Sequence, residues 1–145
     1  MREILFRAKA INRDKGYHRT KYKNGDWVYG LITRFYDEQF KNLPAEMTNE
    51  YGVSGVEIDH NTIGQYTGLT DKNGKKIFEG DILAFSDRLV YVHWHDYCGC
   101  WDCSYIKEVK GKATLCEDRS PNKWRYNAEV IGNIHDNPEL MKGGE

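Results

Sequence analysis

No stretch of this 145-residue chain approaches the roughly 18 consecutive apolar residues of a membrane span. No transmembrane segment is therefore expected. The N-terminus, Met1-Arg2-Glu3-Ile4-Leu5-Phe6-Arg7, reaches a second arginine too soon for the apolar core of a signal peptide, which places the expected compartment in the cytoplasm. An excess of either charge is missing too. Against 22 Asp and Glu stand 21 Lys and Arg, a formal charge of −1, which argues against a strong nonspecific grip on nucleic acid through phosphate neutralisation. Cysteines number only four, and without a secretion signal they fit thiols or metal ligands better than a disulfide framework. Internal repeats and low-complexity runs are absent. So are a nucleophile elbow, a phosphate loop and a paired-histidine metalloprotease pattern: Asn73-Gly74-Lys75-Lys76 has the lysine without the glycine-rich loop. With no convergent site, the chain is expected not to be an enzyme.

What is present suits a β protein. Hydrophobic residues make up 39% and aromatic residues 13%, enough for a core inside one domain. The most regular stretch is Asn61 to Phe85, NTIGQYTGLTDKNGKKIFEGDILAF, which predicts a strand, a tight turn at Asp71 to Gly74, a short strand, a second turn at Glu79-Gly80-Asp81 and another strand. Asp81 is expected to bond backbone amides in that second reversal. Earlier, Glu3 to Ala8 alternates with a period of two, and Trp27 to Tyr36 is rich in aromatic and β-branched residues, with Gly30 as a bulge or a close backbone approach. Asp37 to Glu50 is expected to be loop, with a helical turn at most, because apolar residues thin out and Pro44 interrupts any helix. Tyr51 to Asp59 predicts a strand. Leu89 to His95 alternates cleanly, with Val90, Val92 and Trp94 on the better core face. Tyr105 to Val109 and Ala113 to Cys116 suggest a hairpin, Trp124 to Ile134 a closing strand bent at Gly132, and Asn137 to Met141 a single capped helical turn. Short strands with turn signals between them predict a mostly β fold, a small SH3-like barrel or sandwich built of antiparallel hairpins. The whole of 1–145 is expected to form one domain, with an N-terminal β subdomain over 1–66 and a C-terminal barrel over 67–141 as its subdivision.

Three blocks together, MREILFRAKA at the start, IGQYTGLTDKNGKKIFEGDILAF in the centre and EVIGNIHDNPEL near the end, resemble the YopX family of phage and prophage proteins. The central block is the specific one, and the three lie in family order across nearly the whole chain. The resemblance implies a small, mostly β protein encoded by a phage or prophage, working in the bacterial cytoplasm and associating with itself. It implies no reaction, cofactor or catalytic residue.

Two constellations carry possible chemistry. The run His93-Trp94-His95-Asp96-Tyr97-Cys98-Gly99-Cys100-Trp101-Asp102-Cys103 offers His93, His95, Cys98, Cys100 and Cys103 as the nitrogen and sulfur ligands that suit tetrahedral zinc. Its spacing is not standard, since a structural site usually draws two ligands from one knuckle and two from a separate segment. The other readings are a partly solvated histidine face with thiols filling small gaps, and an oxidation-sensitive thiol pair. The second constellation is a basic, aromatic reversal: Arg13, Lys15, Tyr17, Arg19, Lys21, Tyr22 and Lys23. Cations that follow a phosphate backbone and rings that stack on bases are what a single-strand nucleic-acid binder requires. The same hairpin can be merely solvated, or can dock on the acidic stretch between Asp37 and Asp59 of a neighbouring copy.

The leading expectation is a noncatalytic, self-assembling protein without a cofactor that binds a phage or host macromolecule. The alternatives are a nucleic-acid-binding module and a zinc-binding domain.

Overall fold

A computed structural model describes residues 2–12, 22–35, 44–85, 88–108 and 124–142. The chain divides into two compact units, Met1–Gln65 and Tyr66–Glu145. In the first, β1 (Phe6–Lys9), β2 (Trp27–Arg34), β3 (Ala45–Asn49) and β4 (Val56–Ile58) form an antiparallel meander, and the start of β5 (Gly64–Thr70) pairs with the other side of β1. Alternation along these strands sends Ala8, Val28, Ala45, Met47, Val56 and Ile58 to one face, where they make the core together with Ala10. The last strand of the meander does not end in the open. Ala10 bridges Ile58, the Ile11 N–H donates to the Glu57 carbonyl at 2.9 Å and the Asp59 N–H to the Lys9 carbonyl at 2.9 Å, so the outer side of β4 is met by the residues that follow β1.

In the second unit β5 turns at Asp71 to Gly74 and pairs with β6 (Lys76–Phe78). Gly74 lies at φ 79°, the left-handed conformation that the Asn-Gly pair accepts at low cost. A second tight turn leads into β7 (Asp81–Phe85), and there the Phe78 N–H donates to Asp81 Oδ2 at 2.8 Å, as its sequence position predicts. β7, β8 (Arg88–His95), β9 (Cys100–Glu108) and β10 (Glu129–Asn133) form a four-stranded antiparallel sheet in the order β10-β7-β8-β9. Both faces carry apolar clusters. Leu83, Val90, Val92 and Cys103 pack with Trp124 and Ala128 on one, while Ile82, Leu89 and Ile106 pack with Ile134, Leu140 and Met141 on the other. A strand buried on both faces explains why Ile82 and Leu83 are adjacent and both fully enclosed.

The mostly β fold with two antiparallel sheets agrees with expectation, and no closed barrel is found among the described residues. Four local expectations are corrected. Ala45–Asn49, expected as loop, is β3 with alternate residues buried, because the slot between β2 and β4 overrides a composition of low strand propensity. Tyr51 to Gly55, expected as strand, is a loop pinned by Asn49, whose Oδ1 accepts the Tyr51 and Val53 N–H groups at 3.0 and 2.8 Å. Trp124–Asn127 is a helical turn that buries Trp124 before β10 begins. Asn137 does precede a 3-10 turn, Pro138–Met141, yet makes no cap bond; its Oδ1 accepts the Asn133 N–H at 3.2 Å. The hairpin expected across Lys110 to Lys112 lies outside the described residues; the strand expected from Tyr105 begins five residues earlier, as β9, and pairs with β8.

Candidate functional site at the β8–β9 hairpin

The histidine and cysteine run folds as a hairpin. His95 pairs with Cys100, and Asp96 to Gly99 make the turn, closed by the Gly99 N–H donating to the His95 carbonyl at 2.8 Å with Gly99 at φ 61°. The Cys98 N–H donates to His95 Nδ1 at 3.1 Å, so the histidine ring helps hold the turn. Register then decides which side chains share a face. His93 lies opposite Asp102 and His95 opposite Cys100, whereas Cys103 lies opposite Val92 and Trp101 opposite Trp94. Since neighbouring strand residues point to opposite faces, His93, His95, Asp102 and Cys100 occupy one side of the hairpin, and Cys103 occupies the other.

Of the five residues expected as zinc ligands, the register therefore parts Cys103 from His93, His95 and Cys100. Cys103 is 5% exposed within the apolar cluster that holds Val92 and Trp124, while Cys98 and Cys100 are exposed at the turn. Among the described residues no group of three or more His, Cys, Asp or Glu side chains is placed to hold a metal ion. Local desolvation, the neighbouring Cys98 and Asp102 charges and a side-chain hydrogen bond with Cys98 push the Cys100 thiol above its ordinary pKa.

On the same face the His93 Nε2 lies 2.7 Å from Ser104 Oγ, and its Nδ1 lies 3.3 Å from the Trp94 carbonyl. A carbonyl only accepts, so the Nδ1 contact is a donation from the ring, while the direction of the Nε2 contact with the serine hydroxyl depends on the tautomer. This serine–histidine pair has the first contact of a nucleophile and base, but Asp102, which lies opposite His93 in the register, uses its Oδ1 to accept the Cys103 N–H at 2.8 Å. The pair therefore reads as a cross-strand tie. Sequence reasoning missed it because Ser104 faces His93 only once the turn at Asp96 to Gly99 fixes the register.

The basic reversal is only partly described. Arg13, Lys15, Tyr17, Arg19 and Lys21 lie outside the described residues. Tyr22 is half-buried against the first core and its hydroxyl accepts from Asn49 Nδ2 at 2.9 Å, which makes it packing material as well as a ring near the hairpin base. Lys23 is exposed beside a turn in which its N–H donates to Asp26 Oδ2 at 2.8 Å.

Edges complete the site. β9 has nine residues and only β8 beside it among the described residues, with Tyr105 57% exposed along it. The other end strand of that sheet, β10, has its Val130 N–H taken by Asp71 Oδ2 at 2.9 Å.

Comparison with known proteins agrees with this architecture. The chain is similar to protein EF1440 from Enterococcus faecalis, a solved structure, with 25% identity and a TM-score of 0.52 over 97% of this chain and 99% of that one. No match was found among proteins with curated descriptions. The family model described as YopX protein matches residues 6–142, which takes in every described strand, and the chain belongs to the YopX family.

Proposed function

We propose that this chain is a noncatalytic binding protein that assembles with copies of itself, β9 of one copy pairing edge to edge with β9 of a second. The observation that carries the proposal is the contrast between strand ends. β4 is met by Ala10 and its neighbours and β10 is capped by Asp71, while β9, the longest strand, has no second neighbour among the described residues. A long strand edge with exposed aromatic surface is a template for another strand, and a two-fold axis is the commonest way for identical edges to meet. Antiparallel pairing of two copies also sets the Asp102 end of one β9 beside the Lys107 end of the other. Membership of the YopX family supports a phage- or prophage-encoded protein acting in the bacterial cytoplasm, with the solved relative being bacterial.

Sedimentation or light scattering across a concentration series tests the assembly. The expected result is a reversible dimer whose dissociation constant rises at least about tenfold, the equivalent of roughly 1.4 kcal/mol, in Tyr105→Lys, a charged side chain placed on the edge. A strict monomer at high concentration, or a dimer indifferent to that change in a variant that keeps its circular dichroism, overturns the proposal.

A further inference from the structure

We infer that Cys98 and Cys100 form a reversible dithiol–disulfide pair at the tip of the β8–β9 hairpin. Three observations point there. Both thiols are exposed, they flank the single residue Gly99, and that glycine curls the chain at φ 61° under the Gly99 to His95 backbone bond, so both cysteines sit at the tip of one hairpin. The third cysteine described, Cys103, points to the opposite face and is enclosed by apolar groups, so it does not compete for either partner.

The chemistry is thiol–disulfide exchange with a low-molecular-weight disulfide as the oxidant. A thiolate from the pair attacks one sulfur of that disulfide, forming a mixed disulfide and releasing one small thiolate. The second cysteine gives its proton to solvent, attacks the protein sulfur of the mixed disulfide and releases the other small thiolate. Two electrons pass from the cysteine pair to the oxidant, which ends as two small thiols, and one sulfur–sulfur bond has replaced another. A bridge that closes over one intervening residue restricts the unfolded chain very little, and its exposure leaves it open to attack by reductant. It belongs with labile, regulatory bridges and not with structural ones. The inference concerns one chain and stands independently of assembly through β9.

The test equilibrates the full-length protein with reduced and oxidised glutathione at several ratios, quenches with acid, alkylates free thiols and measures intact mass. The expected result is a loss of two alkylatable thiols per chain, without a glutathione adduct, reversed on returning to the reduced ratio. A double variant, Cys103→Ser with Cys116→Ser, is expected to behave identically. Cys98→Ser and Cys100→Ser are each expected to retain one glutathione on the remaining cysteine, because nothing resolves the mixed disulfide. A stable adduct in the wild type, a doubled mass from bridging between chains, four alkylatable thiols at the most oxidising ratio, or loss of two thiols persisting in Cys98→Ser overturns the inference.

Discussion

Asp71 shows how one residue of an apparently plain turn holds distant parts of a unit. Its side chain is 3% exposed, and Oδ1 accepts the Asn73 and Lys75 N–H groups at 2.8 and 2.9 Å while Oδ2 accepts the Val130 N–H. Burial alone raises its pKa, but the amides of Val130, Lys75 and Asn73 and the Lys75 charge outweigh it, and the net shift is downward from the usual 3.8. A depressed folded-state value contributes stability that is fully present above the unfolded value and is lost as pH falls through the folded one. Asp71→Asn sets an amide donor against one of those N–H donors, so a loss of about 2 kcal/mol near neutral pH is expected, together with a weaker dependence of stability on pH below about 4. Urea unfolding at a series of pH values measures both. Gly30 is constrained differently: a Cβ there meets the Thr48 carbonyl oxygen, a backbone atom that cannot turn aside. Gly30→Ala is expected to cost about 2 to 3 kcal/mol, read from the shift in denaturation midpoint. The sequence marked Gly30 as a close approach, but what it approaches is fixed only by the pairing of Gly30 with Asn49.

At the scale of elements, the β8–β9 hairpin turns a cluster in sequence into two separate surfaces. Period-two alternation from Leu89 to His95 was legible in the sequence, and the burial of Val90 and Val92 agrees with it. Trp94, expected on the same core face, is 44% exposed because it stands near the hairpin tip, edge-on to Trp101 at 5.1 Å. The cysteines after His95 were not legible as strand, since neither Cys98 nor Gly99 announces a turn of this type and Cys100 and Cys103 have no alternating apolar partners to mark them. Two outcomes follow from the register. Thiol-reactive dye is expected to label Cys98 and Cys100 rapidly in the folded protein and Cys103 only as fast as the hairpin opens, as time-resolved labelling with peptide mapping will show. Zinc titration followed by elemental analysis after desalting is expected to leave less than one bound ion per chain, because Cys103 and the two histidines lie on opposite faces of the sheet.

For the whole molecule, charge and edges govern behaviour in solution. A formal charge of −1 gives no long-range attraction to a polyanion, so single-stranded DNA or RNA is expected to bind weakly at physiological salt, and a Lys21→Glu, Lys23→Glu variant is expected to change little. Fluorescence anisotropy against salt concentration checks this, and a steep salt dependence with submicromolar affinity will instead favour the basic hairpin as a nucleic-acid surface. The mostly β class, the turns at Gly74 and Gly80, the role of Asp81 and the YopX membership all follow from the sequence by itself, because each depends on residues close together in the chain or on a motif spanning it. Tertiary structure alone decided the rest. Ala45–Asn49 is a strand because two neighbours demand one, Asp71 reaches Val130 across 59 residues, and Cys103 parts from Cys98 and Cys100 because a sheet has two sides and only pairing says which residue takes which.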